Sequence, residues 1–307
     1  MLVSLLLLAC SGSETASEPT GSGPPAAPAT PAPAPASGTI QVKGSDSEVN
    51  LVQRLAEEFM KKNPSASIAV TGGGSGAGIA AIIDGTTTIA NSSREMKGAE
   101  KIEASRNNVD IKSFVFATDG LAVIVNANNP MDTIDLEKLG GIYRGELATW
   151  DAVGAGTGPV SLYGRQSNSG TYDYFKSAAV KGEYATSLKQ MNGTAQIVEG
   201  VKADPGGIGY VAAGYVAGEN GKGIKVLSVT GAGGAPVSPL DEAAVLSGAY
   251  PLARPLYQFI NGAPNGPLRE FLAYEASPEG QALVKEMGFY PIGTEYVATN
   301  QALVAGN

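Results

Sequence analysis

Short apolar runs alternate with amphipathic stripes from Thr39 onward, and this alternation organises the chain. Thr39–Lys43 reads as a strand. Leu51, Val52, Leu55, Ala56 and Phe59 fall on one helical stripe, which predicts a helix from Val49 to Met60 stopped by Asn63-Pro64. Ser67–Thr71 follows as a strand, then a glycine-rich turn, a short helix around Ile79–Ile83 and a strand near Ile89. Lys112–Thr118 and Leu121–Asn126 read as further strands. Regular βα alternation predicts an α/β architecture with largely parallel sheets. No internal repeat occurs at solenoid spacing. A length of 307 residues, 43% of them hydrophobic, suffices for one large or two medium domains with a real core.

The segment ahead of Thr39 follows a different pattern. The chain starts MLVSLLLLAC, an apolar run too short to span a bilayer but suited to the core of a signal peptide. Leu-Leu-Ala-Cys resembles the lipobox of bacterial lipoproteins, which makes Cys10 the expected lipidated residue. No Lys or Arg precedes the run, a departure from that pattern. Residues 11–38 are dense in Pro, Ala, Ser, Gly and Thr with no large apolar side chain to bury, so an extended, disordered tether is expected.

Composition narrows the chemistry. The formal net charge is −8, which argues against a nucleic-acid partner held by a basic field. Histidine is absent altogether, which removes Ser-His-Asp and Cys-His nucleophiles, histidine-ligated zinc and histidine pH switches. The single cysteine excludes an intramolecular disulfide and a thiolate metal site. No metal, no cofactor and no enzymatic activity are therefore expected.

In open α/β sheets ligands bind where strand ends turn into helix starts. Four such loops share one chemistry. Lys43-Gly44-Ser45-Asp46-Ser47 precedes the Val49–Met60 helix. Thr71 to Gly78 reads TGGGSGAG between a strand and a helix. Ala90-Asn91-Ser92-Ser93-Arg94 follows the strand at Ile89. Tyr163 to Thr171 reads YGRQSNSGT and leads into Tyr172–Val180. Unpaired helix-start amides, the positive end of the helix dipole and short hydroxyls together make an anion site. Arginine adds a planar two-donor fork matched to oxyanions, and glycine lets the backbone come close. Singly, each loop has a plainer account: Ser and Asp before a helix are ordinary N-caps, and a lone arginine is usually a surface ion pair. The glycine loop lacks the Gly-Lys-Ser/Thr ending of a nucleotide P-loop. Together the four point to a buried oxyanion.

The segments GSDSEVNLVQRLAEEF, VTGGGSGAGIAAI, IANSSREMK, LAVIVN, GIYRGELATW, YGRQSNSGTYDYF and GGIGYVAAGY carry a resemblance across Ile40–Pro291. The chain resembles the phosphate-binding proteins of the bacterial Pst ABC transporter. That resemblance implies a two-domain periplasmic-binding-protein fold of the type II, Venus-flytrap kind, with a ligand cleft between lobes. Residues 39–118 and 252–307 would form discontinuous domain I and residues 119–251 domain II. Crossings would lie near Thr118–Leu121 and Tyr250–Pro255. The implied phosphate ligands are Ser45, Asp46, Ser47, Ser75, Ser93, Arg94, Arg165, Ser169, Gly170 and Thr171. The sequence departs from the family pattern twice. Ser93 stands where many members carry the aspartate that accepts the proton of hydrogen phosphate, and Ser167 stands where others carry an Asp two residues after the arginine. Asp46 is then either a replacement acceptor or a helix cap.

The function this implies is capture of inorganic phosphate by hinge closure and delivery to the permease and ATPase of an ABC importer. The protein would be a monomer, lipid-anchored in the periplasm or at the cell surface. Two alternatives stay open: a binder of sulfate, molybdate or phosphonate, and a phosphate-sensing or scaffold lipoprotein outside transport. A phosphatase would need a nucleophile with its base or clustered metal carboxylates, and the Ser-rich loops have no histidine partner.

Overall fold

The computed structural model describes residues 38–216 and 221–306. The expected signal peptide, the Cys10 lipobox and all but the last residue of the tether lie outside the described residues.

Among the described residues, twelve strands fall into two sheets. The first has the order β2-β1-β3-β12-β4. Its strands are β1 (Thr39–Gly44), β2 (Ser67–Thr71), β3 (Ile89–Ser92), β4 (Ile111–Gly120) and β12 (Ala253–Asn261). The second runs β11-β10-β5-β9-β7-β8, with β6 paired to β10. It is built from β5 (Ala122–Asn126), β6 (Thr133–Asp135), β7 (Ser161–Arg165), β8 (Lys189–Met191), β9 (Gly207–Val211), β10 (Ile224–Thr230) and β11 (Pro236–Val237). A single residue, Leu121, separates β4 from β5, so the chain leaves one sheet and enters the other almost directly.

The expectation of largely parallel sheets is corrected. β1 pairs parallel with β2 and β3, and β7 parallel with β8 and β9. β12, however, is antiparallel to both β3 and β4, and β5 antiparallel to both β9 and β10. The reason is the chain path: β5 and β12 are entered by crossing between sheets rather than through a βαβ unit, which alone enforces parallel pairing.

Both sheets are covered on two faces. The stripe Leu51, Val52, Leu55, Ala56 and Phe59 of α1 (Val49–Lys62) packs with Phe271 and Leu272 of α8 (Gly266–Glu275) and Val284 of α9 (Pro278–Glu286) on one face of the first sheet. α1 stops where expected: the backbone N–H and side-chain amide of Asn63 both donate to the Phe59 carbonyl, at 2.9 and 3.0 Å. The opposite face takes Ile79, Ile82 and Ile83 of α2 (Ser75–Ile83) and Ala104 of α3 (Gly98–Arg106), with α10 (Thr294–Ala305) alongside β4. In the second sheet, Val123 and Val125 of β5 face α4 (Leu136–Arg144) and α5 (Gly170–Phe175). Ala122 and Ile124 face α6 (Thr194–Ala203). Burial on both sides explains why AVIVN shows no polar alternation. Short α7 (Glu242–Leu246) lies on the return path to β12. Trp150, Tyr143, Tyr210, Tyr257 and Phe259 are all buried in these cores, where packing rather than ligand stacking accounts for them.

A candidate anion-binding site between the two sheets

Three helix starts meet at the carboxyl ends of β1, β2, β3 and β7. Ser45 to Ser47 leave β1 for α1, whose N-cap is Glu48. Gly74 caps α2, and its backbone takes φ +92, a left-handed conformation that favours glycine. A Cβ there would also lie 2.8 Å from the Asn168 carbonyl oxygen. Ser169 caps α5 with its side chain, accepting from the Tyr172 N–H at 3.5 Å. The starts of all three helices are thus brought to one region, the arrangement an anion site uses.

The hydroxyls predicted from sequence form one connected, buried cluster. Ser45 Oγ donates to Ser93 Oγ at 3.0 Å, and Ser75 Oγ lies 3.4 Å from Ser93 Oγ. Ser75 Oγ also accepts from the Ser93 backbone N–H at 3.2 Å. Ser47 Oγ and Thr171 Oγ1 are 2.6 Å apart, and Thr171 Oγ1 is 3.3 Å from Ser93 Oγ. Two of these contacts join the first sheet's loops to the second's. Gly170 fits so closely that an added Cβ would sit 2.3 Å from Ser75 Oγ and 2.8 Å from Ser93 Oγ.

Arg165 ends β7 with a fully buried guanidinium. It donates to the Asn192 carbonyl at 2.9 Å, Thr194 Oγ1 at 3.2 Å and the Met191 carbonyl at 3.3 Å. It also forms an ion pair with Asp46 across the cleft. The other Asp46 oxygen accepts from the Gly73 N–H at 2.8 Å, and the Tyr215 hydroxyl donates to the Asp46 carbonyl at 2.7 Å. Asp46 is therefore not the α1 cap, one of its two expected roles. Both carboxylate oxygens are engaged by loops of the closed cleft.

Arg94 is not brought into the cluster. Its guanidinium turns to Glu100, with two hydrogen bonds of 2.8 and 2.7 Å, and forms an ion pair with Asp173 at 3.0 Å. Burial works against its charge, but these two carboxylates hold its pKa above the ordinary arginine value. Its geometry is that of a bracket beside the site.

Residues that sequence reading missed complete the arrangement. Arg254 is buried and bonded to Asp119 at 3.0 and 2.8 Å. It donates to the Ser93 carbonyl at 3.1 Å and to Thr171 Oγ1 at 3.2 Å, placing a second guanidinium behind the hydroxyls. Asp119 also accepts from the Ala213 N–H at 2.9 Å. Asp119 and Arg254 face one another in the β4–β12 register. Each is the lone charge of an apolar stretch, FVFATDGLAVIVN and YPLARPLYQF. That was the available signal, since isolated charges in buried strands are retained with partners. Asn168 is the other omission: its carbonyl accepts from the Gly76 N–H at 2.9 Å and its amide donates to the Gly73 carbonyl at 2.9 Å, latching the YGRQSNSGT loop to the glycine loop.

Comparison with known proteins agrees with this geometry. A PBP superfamily domain matches residues 29–279. The phosphate-binding protein PstS of Pseudomonas aeruginosa is 32% identical over 276 residues, covering 83% of this chain and 84% of that protein. PstS of Bacillus subtilis is 30% identical, covering 87% and 85%. Among solved structures, an ABC-type phosphate transport receptor from Vibrio cholerae aligns with a TM-score of 0.66 at 26% identity, over 82% of this chain and 100% of its own. A Clostridium perfringens protein solved with bound phosphate aligns with a TM-score of 0.73 at 26% identity, over 83% and 99%. The chain belongs to the two-lobed PBP superfamily and, within it, to the family of the phosphate-binding proteins PstS.

Proposed function

We propose that this protein captures inorganic phosphate between its lobes and delivers it to the permease and ATPase of an ABC importer. The observation that carries the reading is the gathering of Ser45, Ser47, Ser75, Ser93 and Thr171 into one buried cluster, with Arg254 donating to Thr171 and Arg165 paired to Asp46 of the same loop as Ser45 and Ser47. Five hydroxyls, three helix starts and two guanidiniums suit a small, dehydrated tetrahedral anion. Gly170 and Ser169 contribute the α5 start; Asp46 orients Arg165. Arg94 supports the third loop rather than touching the ligand.

Residues 39–118 with 252–307 move as one lobe and 119–251 as the other, closing about the Thr118–Leu121 and Tyr250–Pro255 crossings. Asp46, Ser47, Gly73 and Ser93 present the first lobe's half of the closed contact. Arg165, Asn168 and Thr171 present the second's. Cys10 carries a lipid that holds the protein, as a monomer, in the periplasm or at the cell surface, and residues 11–38 tether it. The PstS relatives are named as binding proteins, which fits a solute carrier without catalysis.

Calorimetric titration with phosphate and with sulfate tests the reading. Tight 1:1 phosphate binding with much weaker sulfate binding is expected. Arg165→Ala should weaken phosphate binding by at least a hundredfold, because a buried anion loses a charge-assisted donor worth about 1.5–3 kcal/mol and Asp46 is left unpaired beside it. Preference for sulfate, or near-normal affinity in Arg165→Ala, would reject the site.

A further inference from the structure

One carboxyl at the site has no cation of its own. Arg165 is paired with Asp46 and Arg254 with Asp119. Glu48, the α1 N-cap one residue past Ser47, is fully buried; the Ser45 hydroxyl is close enough to favour its charge but donates to Ser93 Oγ, which leaves both Glu48 oxygens without a hydrogen-bond partner. A second buried carboxyl, Glu275 of α8, is near enough to feel its charge. Glu275 accepts from the Gln258 amide at 3.0 Å, yet its other oxygen, the Gln258 carbonyl oxygen and both ends of the Asn91 amide are also unpartnered. The charged and titratable groups facing Glu48 are Asp46, Tyr215, Arg254, Asp119 and Glu275.

An ionised carboxylate there would be a third negative charge against two committed cations. It would also stand beside the anion that the loops enclose. Burying an unpaired charge costs several kcal/mol, and a carboxyl so placed holds a proton instead. Burial pushes the Glu48 carboxyl well above its ordinary range; the Ser45 hydroxyl and Arg254 pull the other way, and Asp119 and Asp46 add to the rise.

We propose that Glu48 is a neutral carboxylic acid in the working protein, and that its ionisation at alkaline pH switches anion binding off. The proton replaces what would be a like charge behind Ser45 with a hydrogen-bond donor. The ligand half of this inference rests on the function proposed above; the protonation half does not.

The test compares the wild-type chain with Glu48→Gln, a neutral side chain of nearly the same shape. In infrared difference spectra near neutral pH, wild type minus variant should show the carbonyl stretch of a protonated carboxylic acid. Without ligand, the native state holds this proton more tightly than the unfolded chain, so the contribution of Glu48 to stability declines as pH rises from the ordinary carboxyl range towards its native pKa. The variant should therefore lose less thermal stability than wild type as pH rises from about 5 to the alkaline limit at which the variant still folds. In phosphate titrations over the same range, wild-type affinity should fall by up to about tenfold per pH unit more steeply than the variant's once Glu48 ionises. No carboxylic-acid band, or parallel stability profiles, would overturn the neutral acid. Parallel affinity profiles would overturn the switch. Absence of phosphate binding by wild type would instead reject the ligand, leaving the spectra and melting profiles to decide Glu48.

Discussion

Asp46→Asn is the substitution that best separates a clamp from a proton acceptor. Asp46 holds Arg165 across the cleft with one oxygen and the Gly73 N–H with the other. The Arg165 side chain is 2% exposed and that of Asp46 18%, so solvent screens the pair only slightly. Asparagine has one side-chain oxygen: kept on the Gly73 N–H, it turns the amide NH2 towards the guanidinium, donor against donor, and the charge-assisted contact is gone. Arg165 keeps its bonds to Asn192, Thr194 and Met191, so the loss is confined to one charge-assisted contact. Such a contact is worth about 1.5–3 kcal/mol, or roughly 10- to 150-fold in an equilibrium constant. Because the contact bridges the lobes, that factor falls on closure and lowers affinity for any tetrahedral anion alike. Calorimetry of wild type and variant with phosphate and with sulfate reads both constants. The expected result is a parallel fall with the selectivity ratio kept. If Asp46 accepted the phosphate proton instead, phosphate would weaken while sulfate, relieved of a facing carboxylate, would gain. That outcome would refute the clamp.

Two further substitutions probe the cleft and its hinge. Gly170→Ala adds a methyl 2.3 Å from Ser75 Oγ, whose rotation is checked by the bond it accepts from Ser93. The site is in the first turn of α5 with an ordinary helical backbone. Phosphate affinity should therefore drop by at least tenfold while the melting temperature of the free protein holds or rises, as titration and calorimetric melting will show. Arg254→Met leaves Asp119 buried with only the Ala213 N–H, and should cost about 3–5 kcal/mol of stability by urea denaturation. The double variant Asp119→Leu with Arg254→Met should recover much of that stability but not the binding.

The elements were legible because each carried its own local signal. The α1 stripe and the Asn63-Pro64 stop place that helix within two residues at its far end, and β2 falls on the expected Ser67–Thr71. α2 starts at Ser75 rather than near Ile79, because its first turn, SGAG, has no apolar stripe to announce it. The stretch after Thr171 departs similarly: the α-helix ends at Phe175 and a π-helical turn carries Lys176–Val180, a change of winding that no side-chain pattern encodes. That these hydroxyls would gather was legible because loop position and residue type coincide there. Arg94 was overread, since nothing local in IANSSREMK says that Glu100 and Asp173 will claim it. Arg254 and Asp119 were passed over for the opposite reason. Their significance comes from a register between strands more than 130 residues apart in sequence, which only the fold brings about.

The two arginines share one design, and it bears on how a chain of net charge −8 can hold an anion. Each guanidinium is neutralised in advance by a carboxylate: Asp46 from the opposite lobe for Arg165, and Asp119 across adjacent strands for Arg254. Pairing keeps the buried cations from destabilising the empty protein, and it also cancels most of the field that would draw anions from a distance. The remaining attraction is short-ranged: helix-start amides, five hydroxyls and whichever guanidinium hydrogens the carboxylates leave unused. Such donors act only when the lobes bring them within hydrogen-bond distance of the same ion. Affinity in this arrangement therefore resides in closure. Contacts that no ligand touches, Asn168 to Gly73 and Gly76 and Tyr215 to the Asp46 carbonyl, must then contribute to it as directly as the hydroxyls do.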